Sequence, residues 1–187
     1  MNIKQSNVLV ENDSLTTTIY RVVTVTVTYA NETDLLSGKG SSLFGQRWNP
    51  RGIAAVYGSI SSPELALSEA LAKSRSGIGI ESAFTPRVVV GIEVSVGRAI
   101  DLTASATLRK LGVTRAELLA EDWFEIQRLG GESMTQALGR HAFECGIEAL
   151  IVPSARSARG KNLVVFPANL APTSTLIVQH SDQLPDG

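Results

Sequence analysis

The segment TTTIYRVVTVTVTY, residues 16–29, decides the fold class, because β-branched and aromatic residues fill it almost completely. Residues of this kind suit a pleated, partly buried surface, so the segment predicts one long strand or two short ones. A second segment, RVVVGIEVSV at 87–96, alternates with a period of two. This period places one set of apolar side chains on the same side of a strand: Val88, Val90, Ile92, Val94 and Val96.

Helix signals occupy the sequence between and after these two strands. Ser61-Ser62-Pro63-Glu64 combines capping residues, a first-turn proline and an acid, so a helix is expected to run to about Ser74. Thr114 to Glu117 reads as a capping box at the start of another helix. A further helix is expected over about 132–145. The helix that follows the capping box is expected to bury one stripe of side chains: Leu119, Trp123 and Ile126.

Short strands complete the pattern, near 53–57, 147–152, 162–166 and 175–179. Strands lie mostly at the two ends of the sequence and helices in the middle, without the alternation that a doubly wound parallel sheet requires. The sequence therefore predicts an α+β fold in a single domain, and a length of 187 residues suits one domain with a sizeable core. We assign residues 1–16 to an N-terminal arm, 17–170 to the domain, and 171–187 to a C-terminal strand and tail.

Composition disfavours several function classes. The net charge is −1 and the pI is near 6.1, whereas proteins that bind the nucleic acid backbone are usually basic. The single cysteine, Cys145, excludes an internal disulfide, and His141 and His180 share no ligand spacing, so no metal site is expected. No segment approaches the ~18 apolar residues of a membrane span. The expected location is the cytoplasm.

Arg21 stands in the more apolar row of the first strand. Period-two geometry places it on the same face as Ile19 and Val23. A buried guanidinium requires a carboxylate or an anionic ligand. A strand-end arginine that reaches water with its tip is the other interpretation, and the pattern alone does not choose between them.

The loop LFGQRWNPRG, residues 43–52, sets Arg47, Trp48 and Asn49 between a glycine and a proline. An arginine grips phosphate with its planar fork, and a tryptophan stacks on flat rings. Taken alone, the motif equally describes a tryptophan that covers the edge of the core beside a solvated arginine.

Glu69 and Ser154 have ordinary interpretations when each is considered alone. Glu69 lies among small apolar residues on its helix, yet Lys73 follows four residues later, which favours a solvated ion pair. Ser154 directly follows the buried strand that ends at Pro153, where serine is a common turn or capping residue.

Together, these residues form an ordered set of five short blocks that resembles the RES domain family. The resemblance covers roughly residues 18–168, and the family is named for an invariant Arg, Glu and Ser. By position these are Arg21, Glu69 and Ser154. The blocks, in chain order, are Tyr20-Arg21, Gly45 to Pro50, Val56-Tyr57, Ser62 to Glu69, and Val152 to Ala155 ahead of Asn162-Leu163-Val164.

The resemblance implies an NAD⁺-consuming toxin of a bacterial toxin–antitoxin module, with a split-sheet core related to ADP-ribosyltransferases. NAD⁺ is then the substrate, and no metal is needed. The implied partner is an antitoxin with a helix-turn-helix region that occludes the active site, so a hetero-oligomer with that antitoxin is expected. Neither nucleic acid nor a membrane is an expected direct partner.

The implied chemistry is cleavage of the nicotinamide–ribose bond through an oxocarbenium-like state. Glu69 would stabilise the developing charge, and Arg21 would hold the pyrophosphate or ribose oxygens, with Arg47 as a second clamp. Tyr57 or Trp48 would stack on nicotinamide, Asn49 would belong to the same rim, and Ser154 would contact the substrate or orient Glu69. Water or phosphate as acceptor gives a glycohydrolase or a phosphorylase. A mono-ADP-ribosyltransferase acting on a protein, or a non-catalytic partner-binding domain, is the alternative.

Overall fold

The computed structural model describes residues 13–24, 32–60, 62–75 and 87–184. Six strands lie in this part of the chain: β1 Asp13–Thr24, β2 Val56–Ser59, β3 Arg87–Asp101, β4 Ala149–Pro153, β5 Lys161–Val165 and β6 Thr175–Val178. Seven α-helices accompany them: α1 Glu32–Leu36, α2 Lys39–Phe44, α3 Pro63–Arg75, α4 Ser105–Leu111, α5 Arg115–Ala120, α6 Trp123–Arg128 and α7 Met134–Glu144. None of these helices has the length and apolar character needed to span a bilayer.

The strands form one sheet in the order β1-β2-β5-β4-β3-β6, and β1 also pairs with β3. This extra pairing closes β1, β2, β5, β4 and β3 into a ring, with β6 added on β3. Only β3 and β4 run parallel, and the other pairs are antiparallel. The α+β architecture in a single domain is therefore confirmed.

Two apolar clusters cover the opposite faces of the ring strands, because neighbouring strand residues point to opposite sides. One cluster joins helices α4, α5 and α7 to the strands through Leu108, Leu118, Leu138, Leu150 and Val164. The other joins side chains from all five ring strands, namely Ile19, Val23, Val56, Val90, Ile92, Val94, Val96, Ala99, Ala149, Leu163 and Val165, together with Leu35 of α1. Helix α3 packs across β1 and β2.

The predicted strands are present with modest changes of boundary. β1 ends at Thr24 within the described residues, so the predicted continuation to residue 29 falls outside them. β3 extends five residues beyond the predicted end at 96, and β2 begins at Val56 instead of Ile53. The apolar row of β3 is buried as expected from Val90 to Val96.

One predicted helix has to be corrected, and several observed helices were not predicted. The capping box at Thr114 is present, but the helix after it ends at Ala120 and a separate helix begins at Trp123, with Asp122 as its cap. The predicted stripe is therefore wrong in register, and Leu118 is the fully buried side chain of α5. The short helices α1, α2 and α4 lie in segments for which the sequence predicted none.

Candidate active site

A straight row of paired residues crosses four strands and positions the candidate site. Tyr20 of β1 lies opposite Ser59 of β2, Ser59 lies opposite Asn162 of β5, and Asn162 lies opposite Val152 of β4. Arg21 directly follows the first residue of this row, and Ser154 comes two residues after the last. The row thus relates two of the three residues that the sequence singled out, one at each of its ends.

Arg21 lies on the same strand face as the buried Ile19 and Val23, as its position in the apolar row predicted. The side chain is half-buried, and its Nη1 donates to the carbonyl oxygen of Tyr57 on the neighbouring strand at 3.5 Å. The guanidinium is therefore held against the sheet.

Glu69 projects from α3 toward the ends of β4 and β5. Its Oε1 accepts a hydrogen bond from the Ser154 hydroxyl at 2.5 Å and another from Asn162 Nδ2 at 3.2 Å. The carboxylate is half-buried and belongs to a polar cluster, in contrast to the solvated pair that local spacing favoured. The side chain of Lys73, its expected partner, lies outside the described residues.

Ser154 is buried, with 2% of its surface exposed, and its hydroxyl is fully engaged. It donates to Glu69 and accepts from the backbone N–H groups of Arg156 and Ser157, at 2.9 and 3.1 Å. The loop closes where the Ser154 N–H donates to the Gly160 carbonyl at 3.0 Å. A Cβ on Gly160 would approach the Ser154 Cβ to 3.0 Å, so only glycine fits this tight loop without rearrangement.

The structure corrects the expected stacking role of Trp48. This side chain is 2% exposed and packs in the core beneath α7, so its ring does not face a ligand. Asn49 is fully buried, and its Nδ2 donates to the carbonyls of Ser41, Pro50 and Ile53. Both residues fix the shape of the loop, which places them behind the rim of the site.

Tyr57 connects this loop to the sheet. Its hydroxyl donates to Asn49 Oδ1 at 2.6 Å and accepts from the Trp48 N–H at 3.2 Å. Burial raises the pKa of Tyr57, and the hydrogen bond from Trp48 and the charge of Arg47 offset part of this effect. The phenol therefore stays protonated, and the residue as a whole is half-buried and packs against the core.

Arg47 is half-buried and donates from Nη1 to the carbonyls of Leu118 and Glu121 at 3.0 and 3.2 Å. Burial lowers the pKa of Arg47, whereas the negative charges of Glu121 and Glu69 act in the opposite direction. An arginine is not deprotonated in proteins near neutral pH, so a positive charge remains within electrostatic reach of Glu69.

Pairwise contacts link one carboxylate, two guanidinium groups and an aromatic residue: Arg21 contacts the Tyr57 carbonyl, and Arg47 lies within electrostatic reach of Tyr57 and Glu69. This arrangement can hold an anionic, ring-bearing ligand and stabilise positive charge that develops near Glu69. No group of three or more His, Cys, Asp or Glu residues suited to a metal ion occurs in the part of the chain that the structure describes.

Asn162 is the site residue that sequence reasoning missed. It stands in the last of the five blocks, at the start of a buried strand, and a polar amide in that position was the available signal. Local pattern gives no reason to connect it with Glu69, which lies 93 residues earlier.

Comparison with known proteins addresses the family and the fold of the chain. The sequence model described as "RES domain" matches residues 18–185. Among solved structures, the chain is similar to one from the "Crystal structure of the M.tuberculosis MbcT-MbcA toxin-antitoxin complex", with a TM-score of 0.68 and 22% identity over 92% of this chain and 91% of that one. No curated protein sequence matches.

Proposed function

The chain belongs to the RES domain family, and from this membership we propose that it is an NAD⁺-degrading toxin that an antitoxin neutralises. The observation that carries the proposal is the hydrogen bond between Ser154 and Glu69, two residues 85 positions apart in the chain. Both are name-giving residues of the family, and the third, Arg21, lies on a strand of the same paired row.

Cleavage of the nicotinamide–ribose bond leaves positive charge on the ribose carbon and ring oxygen. Glu69 is the carboxylate that would stabilise this charge as the bond breaks, as carboxylates do in glycosidases. The electrons of the breaking bond go to the pyridinium ring of nicotinamide, which leaves as a neutral molecule. Water, which releases a proton to the solvent, or a phosphate oxygen then attacks the ribose carbon and gives ADP-ribose or its 1″-phosphate.

Arg21 and Arg47 would hold the pyrophosphate. Arg21 Nη1 contacts the Tyr57 carbonyl, and Arg47 Nη1 contacts the carbonyls of Leu118 and Glu121. A guanidinium presents its N–H donors in a planar fork that matches the oxygens of a phosphate group. The half-buried Tyr57 ring would stack on nicotinamide, the role first considered for Trp48 as well.

Ser154 acts through Glu69 in this proposal. The proton of its hydroxyl is directed to the carboxylate and its lone pairs accept two N–H groups, so the hydroxyl is not placed as a nucleophile. A serine held in this way orients the carboxylate before the substrate arrives, which lowers the cost of reaching the transition state.

The antitoxin partner is proposed on the likeness to a chain from a complex described as toxin–antitoxin. We expect an antitoxin with a helix-turn-helix region that covers the site and forms a hetero-oligomer with this chain. Such a partner would prevent NAD⁺ from reaching the Glu69 carboxylate.

The test is NAD⁺ consumption by the purified protein, in buffers with and without phosphate, with mass spectrometry of the products. We expect Glu69→Gln to reduce kcat by about 10²-fold or more, because a neutral amide cannot stabilise the developing cation. Glu64→Gln is the matched control, since Glu64 is an exposed acid in the first turn of the same helix. It should retain wild-type turnover.

The products decide between the proposed reactions. ADP-ribose alone identifies a glycohydrolase, and the 1″-phosphate formed in phosphate buffer identifies a phosphorylase. Intact NAD⁺ in both buffers would contradict the degrading activity. Transfer of ADP-ribose to a protein in cell extract would then identify a transferase, and its absence would point to a partner-binding domain.

A further inference from the structure

The two carboxylate oxygens of Glu69 differ in the hydrogen bonds that they accept. Both hydrogen bonds that the described part of the chain donates to this carboxylate end on Oε1, one from Ser154 and one from Asn162. Oε2 is the oxygen left to face a ligand. A carboxylate held by one oxygen directs the other, so the groups around Oε1 determine where Oε2 points.

Asn162 is held more rigidly than a loop residue would be. Its backbone lies in β5 and pairs with Ser59 on one side and with Val152 on the other. Because β5 is an interior strand of the ring, the amide has a fixed starting point from which to reach Glu69. The residue after it, Leu163, is completely buried and anchors the strand.

The orientation of the amide follows from the charge of its partner. An ionised carboxylate accepts hydrogen bonds only, so the NH₂ group of Asn162 must face Oε1 and its carbonyl oxygen must face away. The two donors on Oε1, an amide and a hydroxyl, are both neutral. They fix the plane of the carboxylate without neutralising its charge. A lysine or arginine at hydrogen-bonding distance would neutralise that charge.

We propose that Asn162 is a positioning residue that, together with Ser154, holds Oε1 of Glu69 so that Oε2 faces the reacting ribose. This inference rests on the proposed function for its catalytic consequence. Its structural content, a carboxylate held in one orientation by two neutral donors, stands independently of the reaction. Ser154 alone leaves the carboxylate free to rotate about a single hydrogen bond, and the second donor removes that freedom.

The first test separates positioning from binding and from folding. In Asn162→Ala we expect kcat for NAD⁺ to fall between about 10-fold and 100-fold, with KM within about twofold of wild type. Asn169→Ala is the matched control, because Asn169 Nδ2 donates to the carbonyls of Phe143 and Ile147, remote from Glu69. It should lower Tm and leave kcat unchanged.

A second variant keeps the shape of the side chain. Asn162→Asp is isosteric but replaces the donor with a second carboxylate beside Glu69, so we expect a kcat at least as low as that of the alanine variant. Wild-type kcat in both variants would overturn the proposal. A loss that appears entirely in KM, or that tracks Tm as in Asn169→Ala, would overturn it as well.

The crystal structures of wild type and Asn162→Ala give a readout that needs no turnover. We expect one conformation of the Glu69 carboxylate in wild type and at least two in the variant, with the Ser154 contact retained in one of them. A single, unchanged Glu69 conformation in the variant would refute the positioning role. If wild type failed to consume NAD⁺, the proposed function would fall, and this comparison would still decide the inference.

Discussion

Tyr57 illustrates how one residue can serve both the loop and the site. Its hydroxyl is enclosed between Asn49 and the backbone of Trp48, whereas its ring is half-buried. Under the proposed function, the hydroxyl therefore serves the loop, and the ring serves the site. Substitutions that remove only the hydroxyl, or the whole ring, can separate these two roles.

We expect Tyr57→Phe to destabilise the fold by about 1–3 kcal/mol, because it leaves the buried Asn49 Oδ1 and the Trp48 N–H without their partner. Turnover of NAD⁺ at a temperature where the variant is folded should be unchanged, since the ring is retained. Tyr57→Leu should lose a similar amount of stability and also raise KM. Chemical denaturation and steady-state kinetics measure the two effects, and equal KM values in the two variants would refute the stacking role.

At this scale the sequence predicted the site only in part. The alternation in β1 placed Arg21 on the buried face correctly, because strand geometry has a fixed period. For Glu69, local spacing favoured a solvated ion pair with Lys73. The hydrogen-bond partners of Glu69 instead lie 85 and 93 residues further along the chain. Contacts of such long range depend on how strands pair, which local patterns do not specify. Trp48 was ambiguous for the same reason, since its burial depends on the position of α7.

At the scale of elements, helix α7 and the loop at Trp48 approach each other through a single glycine. A Cβ on Gly139 would overlap the carbonyl oxygen of Trp48, so the backbone of the loop lies directly against the helix. Gln136 of the same helix donates to the carbonyl of Gln46 at 3.1 Å. Helix α7 therefore supports the loop that carries Arg47.

Gly139→Ala tests this contact, because its expected effect on stability is opposite to that of the same substitution in an exposed helix. In a helix exposed to solvent the change would stabilise by about 0.5–1 kcal/mol, because alanine has the higher helix propensity. Here we expect a loss of about 1–3 kcal/mol, since the backbone must move to admit the methyl group. Ala137→Gly on the same helix is the control and should cost only the propensity difference. Increased stability of Gly139→Ala in thermal unfolding would disprove the close approach.

The helices that were predicted well are those with capping residues in the sequence. Ser62 accepts from the Leu65 N–H at 3.0 Å at the start of α3, and Thr114 forms its capping box with Glu117. Helices α1 and α2 have five and six residues, too few for a periodic apolar pattern to emerge. The break between α5 and α6 was missed because Asp122, which caps the second helix, lies within an otherwise continuous helical pattern.

At the scale of the whole molecule, the closed ring of strands explains why the site is not confined to one segment. Strands β1, β2, β5 and β4 each contribute to the row of paired residues, and α3 crosses β1 and β2 to bring Glu69 to it. The sequence predicted the six strands and the helices α3, α5 and α7, and it missed α1, α2, α4 and the separate α6. It did not predict the pairing of β1 with both β2 and β3, which closes the ring.

Expression in a bacterial host tests the proposed role of the whole protein. We expect wild type and Glu64→Gln to arrest growth and to deplete cellular NAD⁺, and Glu69→Gln to be tolerated. Co-expression of the product of a neighbouring gene should restore growth if that product is the antitoxin. Growth arrest by Glu69→Gln at equal protein levels would show that toxicity does not depend on the carboxylate.

The long sequence separation within the site also has a consequence for the order in which the protein is made. Glu69 leaves the ribosome well before Ser154 and Asn162, and its carboxylate has neither hydrogen-bond partner until β4 and β5 emerge. A nascent or prematurely terminated chain therefore carries Arg21 and Glu69 before the hydrogen-bonded cluster around Glu69 can form. Under the proposed function, the site becomes competent only after β5 has been synthesised and has paired with β2 and β4, and the interval before that point is available for the proposed antitoxin to bind.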